Sequence, residues 1–126
     1  MALRKGIDIK AATVISGLAD FLDGYNKRND MKPICERIVG HPDTHKNEYI
    51  ARSATYWADE INIPILIIHG AKDKHVPVEQ VRKFVKRLGK YKKTHTYIEY
   101  PDGEHGLKPY GQEYQNKIHQ FFRKYI

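Results

Sequence analysis

Two ionisable side chains in separate loops of the 126-residue sequence, Asp73 and His105, could carry out chemistry together. Asp73 stands three residues after Gly70 in "IIHGAKDKHVP", and His105 stands five residues after Tyr100 in "YPDGEHGL". A carboxylate that accepts a hydrogen bond from one imidazole nitrogen fixes the tautomer and leaves the other nitrogen free to take a proton. We therefore expect Asp73 to orient His105 as a general base, provided that the fold brings the two loops together.

Each of these loops follows a segment with the pattern of a β-strand. Residues 63–70 are β-branched and apolar on both faces, as in a strand covered by helices on both sides. Residues 94–100 alternate more, as in a strand near a sheet edge, and a further strand is predicted over residues 9–16. Because ligands bind at the carboxyl ends of parallel strands, Asp73 and His105 should reach the same edge of the sheet.

Helical patterns separate the predicted strands, which favours an α/β fold. Apolar residues repeat at helical spacing over residues 78–88, with Pro77 at the first helical position and Gly89 just past the end. Another apolar stripe runs through residues 112–126, after the last strand. This order predicts a short parallel sheet flanked by helices, in a single domain over residues 1–126.

The segment 18–61 does not follow the strand and helix alternation of the rest of the chain. It is long, mixed and polar, with turn-rich patches between short helical pieces. It is either a lid-like excursion that borders a pocket or a set of ordinary connecting helices. The sequence leaves both possibilities open.

The other reactive side chains have less distinctive surroundings. His69, Asp73 and His75 could suggest a zinc site, but His69 belongs to a strand end and no further histidine is spaced to complete the set. His69 is better interpreted as a packed, hydrogen-bonded residue below the site, and His75 as an exposed loop residue. Cys35, the only cysteine, lies among apolar neighbours and is expected to be a buried structural thiol. The histidines expected at the surface without a partner are His41, His45, His95 and His119.

The net charge of +7 raises the question of a nucleic-acid partner. Much of the charge lies in "VRKFVKRLGKYKK", where lysines and arginines fill the polar face of a helical pattern, as on a solvated helix. No nucleic-acid motif accompanies them, so no nucleic-acid partner is expected. No apolar run approaches the length of a membrane span, and the N-terminus lacks the apolar region of a signal peptide, so a cytoplasmic location is expected by default.

Three stretches carry a resemblance to a known family. "ARSATYWADEINIPILIIHGAKDKHVP" followed by "YIEYPDGEHGL" resembles the C-terminal part of an α/β-hydrolase of the prolyl oligopeptidase family. "IKAATVISGLADF" resembles the strand that follows the helix of the nucleophile. The resemblance implies a three-layer, partial α/β-hydrolase fold. Matched residue by residue, it implies that Asp73 is the triad acid and His105 the triad base of a serine peptidase or esterase. No metal and no cofactor are expected.

The sequence departs from that family at the nucleophile. α/β-Hydrolases order their triad Ser, Asp, His, with the serine in a G-x-S-x-G elbow, and no such elbow occurs in this sequence. Ser16 in "VISGL" follows the bulky Val14 and Ile15 and is expected to cap a turn at a strand end, while Ser53 has no elbow either. The nucleophile and the oxyanion-hole amides are therefore expected upstream of Met1, and the chain alone is expected to be inactive.

Two functions follow as hypotheses. In the first, the chain supplies the triad aspartate and histidine to a serine hydrolase that an upstream serine segment completes. The alternative is a non-catalytic binding or assembly module derived from a hydrolase half. Without the strand that leads to the nucleophile, residues 9–16 would form an apolar strand with an open edge, so we expect a homodimer or higher oligomer joined through them.

Overall fold

The computed structural model of the protein describes residues 2–4 and 7–126, and its centre is a sheet of three parallel strands. The strands are β1 (Ala12–Ile15), β2 (Ile65–Gly70) and β3 (His95–Tyr100), in the order β1-β2-β3. In the register of the sheet, Ile68 of β2 lies opposite Ile15 of β1 and Ile98 of β3. The predicted strands are confirmed, although each begins later than the apolar pattern does.

In the part of the chain that the structure describes, five α-helices connect and cover these strands. Three of them lie between β1 and β2: α1 (Phe21–Lys27), α2 (Lys32–Ile38) and α3 (Pro42–Ala51). The others are α4 (Val78–Lys90), between β2 and β3, and α5 (Gly111–Tyr125), after β3. Short 3-10 segments lie at Ala2–Arg4, Asn29–Met31, Ala54–Glu60 and Lys108–Tyr110. Within residues 2–4 and 7–126, no helix is long and apolar enough to cross a lipid bilayer.

The central strand β2 is buried along its whole length and separates two apolar layers. Its side chains alternate, so that Ile65 and Ile67 face one layer while Leu66 and Ile68 face the other. The first layer holds the apolar face of α4 together with Trp57, and the second holds the apolar face of α5. The helices predicted on both sides of this strand from its unbroken apolar run are thereby confirmed.

The prediction that Gly89 lies just beyond the end of α4 is wrong. The helix runs through Gly89 to Lys90, and the left-handed position after it is occupied by Lys92, with φ 52°. The amide of Lys92 donates to the carbonyl of Gly89 (3.0 Å), and that of Lys93 donates to the carbonyl of Leu88 (2.9 Å). These two hydrogen bonds complete a Schellman ending with lysine where glycine is more usual.

The segment 18–61 forms a helical layer with a small core of its own. That core contains Tyr25, Cys35 and Tyr49, all of them buried. Burial raises the pKa of the Cys35 thiol, in keeping with the predicted structural role. The end of the segment, Ala54–Glu60, packs against α4. The first part of the segment borders a pocket, described below, as the lid-like interpretation expects. Its later part packs against the rest of the fold as a connecting segment.

Candidate active site

The loops that follow β2 and β3 touch through their backbones at Gly70 and Gly103. The amide of Lys72 donates to the carbonyl of Gly103 over 2.9 Å. Any side chain on Gly70 would place its Cβ well inside van der Waals contact of that same Gly103 carbonyl, so only glycine permits this approach. Because neighbouring parallel strands end at one edge, the contact brings Asp73 and His105 together.

Asp73 and His105 form a direct hydrogen bond. His105 Nδ1 lies 2.9 Å from Asp73 Oδ2. The aspartate side chain is fully buried, whereas 44% of the histidine side chain is exposed. Since a carboxylate only accepts, Nδ1 carries the proton and Nε2 of the neutral ring keeps its lone pair. Nε2 makes no hydrogen bond with any residue that the structure describes, so it remains available to a reacting group.

The second oxygen of Asp73 holds its own loop in place. Oδ1 accepts hydrogen bonds from the backbone amides of His75 (2.8 Å) and Val76 (2.9 Å). Burial opposes ionisation of this carboxyl, but the donors from Val76, His105 and His75 outweigh it and hold the pKa of Asp73 below its ordinary value. Asp73 is therefore an ionised, fully hydrogen-bonded acceptor for the imidazole.

His69, at the end of β2, lies directly beneath this pair and is fully buried. Its Nε2 lies 2.9 Å from the carbonyl oxygen of Val76 and 3.5 Å from Asp73 Oδ2. Because both neighbours accept, Nε2 carries the proton and ties the strand end to the Asp73 loop. The prediction of a packed, hydrogen-bonded residue below the site is confirmed.

His75 is exposed, as predicted, but it is not isolated. Its ring lies against the ring of His105, with the centroids 4.8 Å apart and the planes at 68°. Its carbonyl accepts a hydrogen bond from Nη1 of Arg28 over 3.2 Å. Sequence reasoning missed this contact, and the only signal for it was the position of His75 two residues after Asp73, in the same short loop.

The two serines of the chain both bind backbone groups. Ser16, at the end of β1 with φ 49°, accepts a hydrogen bond at Oγ from the amide of Gly106 over 3.4 Å. The expected turn cap therefore bonds to the His105 loop instead of its own turn. Ser53 is fully buried, donates to the carbonyl of Tyr49 (2.7 Å) and accepts from the amide of Phe21 (2.7 Å).

The remaining histidines lie on other elements. His41, His45 and His119 are exposed, as predicted, but two of them have partners: His41 Nδ1 accepts from the amide of Asp43 (3.2 Å), and His45 Nδ1 lies 2.8 Å from Oγ1 of Thr44. His95 is half-buried at the start of β3, where its Nδ1 lies 2.8 Å from the carbonyl oxygen of Lys93. Across residues 2–4 and 7–126, no three His, Cys, Asp or Glu side chains are grouped so that they could hold a metal ion.

A mostly apolar pocket of about 310 Å³ opens beside His105. Its far wall is α1 with the turns on either side of it, which belong to the segment that the sequence left undecided. The residues that line it include Leu18, Phe21, Tyr25, Met31, Val76 and His105. The imidazole that keeps a free nitrogen thus faces a cavity of the size and polarity that bind small ligands.

Comparison with known proteins identifies the family. A family model described as "Prolyl oligopeptidase family" matches residues 9–126, nearly the whole chain. The chain belongs to the prolyl oligopeptidase family. It is therefore a member of a serine hydrolase family, as the resemblance of its strand and loop motifs implied.

Two curated relatives match parts of this chain. The uncharacterized peptidase YtmA of Bacillus subtilis is 32% identical over 73 residues, which are 56% of this chain and 28% of that protein. Dipeptidyl peptidase family member 6 of Caenorhabditis elegans is 40% identical over 58 residues, 46% of this chain and 8% of that protein.

Solved structures match the fold over most of the chain. The acylaminoacyl peptidase of Pyrococcus horikoshii aligns with a TM-score of 0.85 and 20% identity, covering 99% of this chain and 21% of that one. A puromycin-hydrolyzing peptidase of Mycobacterium tuberculosis aligns with a TM-score of 0.72 and 25% identity, covering 79% and 15%. The predicted α/β-hydrolase architecture is confirmed, and the chain spans less than a third of the length of each of these relatives.

Proposed function

We propose that this chain supplies the acid and the base of a Ser-His-Asp triad, with Asp73 orienting His105, in a hydrolase that acts by acyl transfer. The observation that carries the proposal is the 2.9 Å hydrogen bond between His105 Nδ1 and the buried Oδ2 of Asp73. It leaves Nε2 open beside an apolar pocket. Membership of the prolyl oligopeptidase family supports the same reaction class.

In this mechanism His105 moves the proton and Asp73 stays ionised. Nε2 takes the proton from a serine hydroxyl as the serine oxygen attacks the substrate carbonyl, and then gives that proton to the leaving group. In the second half of the reaction, Nε2 takes a proton from water as the water oxygen attacks the acyl carbonyl, and then gives that proton to the serine oxygen, which leaves as the acid is released. The lowered pKa of Asp73 keeps its negative charge beside the imidazolium that forms in each half.

The nucleophile, in this proposal, comes from polypeptide outside the 126 residues. Ser53 is unsuitable because it is fully buried and its hydroxyl both donates and accepts within the fold. Ser16 lacks the small flanking residues of an elbow, and its Oγ accepts from the His105 loop. Without a serine and an oxyanion hole, the chain alone should not turn over substrate.

The pocket favours a substrate with an apolar side chain next to the scissile bond. Its wall on and next to α1 includes the aromatic Phe21 and Tyr25 and the aliphatic Leu18, with Arg28 at the end of the helix, and His105 lies at its border. Burial of such a side chain would place the neighbouring carbonyl beside Nε2 of His105, so that apolar binding energy fixes the reacting group. Peptides and esters are the substrate classes that fit this arrangement.

The open edge of β1 is where we expect additional polypeptide to pair. The amides of Ala12 and Ser16 donate to carbonyls at β2, so the intervening Thr13 and Ile15 turn their backbone groups to the open side. A strand that carries the nucleophile would pair there. In its absence a second copy of the chain would do so, and we expect a homodimer or higher oligomer. A monomer in light scattering at micromolar concentration would contradict this expectation.

The test begins with the coding DNA immediately upstream of Met1. A reading frame that carries G-x-S-x-G would be co-expressed with the chain, and the complex assayed on p-nitrophenyl esters. We expect hydrolysis by the complex, none by the chain alone, and loss of hydrolysis on His105→Ala but not on His119→Ala. Turnover by the chain alone that disappears on His105→Ala would show that the nucleophile lies within it.

The second candidate is a non-catalytic binding or assembly module derived from a hydrolase half. The exposed apolar side chains at and around β1, Ile7, Ile15 and Leu18, favour it because such surfaces are usually covered by a partner. The absence of an upstream frame, together with a stable oligomer, would favour this module over the split hydrolase.

A further inference from the structure

Among the residues that the structure describes, Asp73 alone is hydrogen-bonded to the imidazole of His105. Nδ1 is bonded to Asp73, and 44% of the side chain is exposed to solvent. A single bond at Nδ1 fixes the tautomer, but it leaves the ring free to rock about the axis of that bond. Proton transfer needs Nε2 at a fixed place, because catalytic groups act within hydrogen-bond reach of the reacting atom. A contact on the ring itself would provide this restraint.

His75 makes that contact. The two rings are 4.8 Å apart at 68°, so the edge of one ring meets the face of the other. This is a favoured arrangement for aromatic pairs, and it limits rocking because rotation of either ring separates edge from face.

His75 is itself fixed by its backbone. Its amide donates to Oδ1 of Asp73 (2.8 Å), the carboxylate whose other oxygen binds His105. Its carbonyl accepts from Arg28, whose guanidinium is held by Asp30 through two hydrogen bonds of 2.9 and 2.6 Å. Both imidazoles are therefore placed relative to one carboxylate, and Arg28 joins the end of the pocket helix α1 to the same loop.

We propose that His75 is a positioning residue, which holds the ring of His105 in the orientation required for proton transfer by an edge-to-face contact. The inference rests on the proposed function, in which His105 is the general base. In this proposal the His75 side chain does not contact the reacting atoms.

The experiment measures the motion of the His105 ring by NMR relaxation of its Cδ2–H group in the 126-residue chain. His75→Ala removes the ring and retains both backbone hydrogen bonds, whereas His75→Phe also retains an aromatic ring. His119→Ala, at an exposed position on α5, is the matched control. The amide spectrum of each variant reports that the fold is intact.

We expect a rigid ring in the wild type, with an order parameter of about 0.85, and a value below about 0.6 for His75→Ala. His75→Phe and His119→Ala should remain near the wild-type value. An unchanged order parameter in His75→Ala would overturn the inference, and so would a Phe variant as mobile as the Ala variant.

A separate variant distinguishes failure of this inference from failure of the proposed function. Nitrogen shifts report which ring nitrogen of His105 carries the proton, and Asp73→Asn should shift the tautomer away from Nδ1–H. If Asp73→Asn leaves the tautomer unchanged, the pair assumed by the proposed function is absent and both proposals fail. If it changes the tautomer while His75→Ala leaves the ring rigid, only the role of His75 is wrong.

Discussion

Glu99 on β3 and Asp73 in the loop after β2 both have a lowered pKa, and of these two only Asp73 lies in the candidate active site. Glu99 of β3 receives two hydrogen bonds of 2.8 Å from Arg82 and one of 2.7 Å from the hydroxyl of Tyr97. The Arg82 guanidinium lowers the pKa of Glu99 to about 2. Asp73, in the loop after β2, is also held ionised by its hydrogen-bond donors.

The difference between them lies in what their partners can still do. Arg82 is a permanent cation whose bonds to Glu99 are already made, so this group has no proton to exchange at neutral pH. The partner of Asp73 is an imidazole, which keeps a second nitrogen open beside a pocket. A perturbed carboxylate alone therefore does not mark a site, because structural ion pairs perturb pKa values as well. A partner that keeps one nitrogen open, as His105 does, is the better indicator of an active site.

Activity should separate the two carboxylates most strongly. In the completed hydrolase, Asp73→Asn should lower kcat by about 10⁴-fold, because an asparagine no longer fixes the Nδ1–H tautomer of His105. Glu99→Gln should leave kcat within roughly twofold, as a substitution away from the reacting atoms. The measurement is ester hydrolysis by the co-expressed complex, and a comparable loss in both variants would abolish the distinction.

The next largest effect concerns the backbone contact between Gly70 and Gly103. The Asp73–His105 pair requires this contact, and the Glu99–Arg82 pair does not. Gly70→Ala forces a Cβ into the Gly103 carbonyl and should lower the free energy of unfolding by about 1–3 kcal/mol. It should also break the Asp73–His105 hydrogen bond while leaving Glu99 paired.

The matched control is Gly111→Ala at the start of α5, where an added Cβ meets no atom within 4 Å. This change should stabilise the chain by about 0.4–1 kcal/mol, since alanine lowers the entropy of the unfolded chain. Urea unfolding measures both variants. Equal changes in the free energy of unfolding for the two variants would mean that the loops after β2 and β3 can separate without loss of stability.

The smallest expected effect is a loss of stability at low pH, to which both carboxylates should contribute. A carboxyl with a lowered folded pKa contributes stability that is present above its unfolded pKa and lost as the pH falls through the folded value. The free energy of unfolding should therefore fall between about pH 5 and pH 2, and Asp73→Asn and Glu99→Gln should each make this fall shallower. For Glu99 the loss should extend down to a pH of about 2. A fall as steep as in the wild type would show that the substituted carboxyl is not held ionised.

The sheet and the Asp73–His105 pair could be predicted from sequence because both rest on local signals. An unbroken apolar run identifies β2 as the central strand, and short loops after adjacent parallel strands must end near each other. The end of α4 was less predictable. Glycine is the usual left-handed residue, yet the hydrogen bonds that end this helix place Lys92 there instead of Gly89.

The pocket and the His75 contact could not be predicted, because both depend on how segments distant in sequence pack. The wall on α1 comes from a stretch without strong periodicity, and its distance from His105 is set by tertiary contacts. Gln80 illustrates this: it accepts from the amides of Ala19 and Asp20 (3.0 Å each) and donates to Asp23 (3.0 Å), which ties α1 to α4. No spacing rule connects residues about sixty positions apart.

The joining of two loops at Gly70 and Gly103 also determines how this edge of the sheet opens. The Lys72 side chain is exposed, but its amide is bonded across the gap to Gly103. Hydrogen exchange at that amide requires the loops to part, and the amides of His75 and Val76, bonded to Asp73, should lose protection in the same opening event. One slowly exchanging amide on an exposed residue thus reports how often the Asp73–His105 pair comes apart.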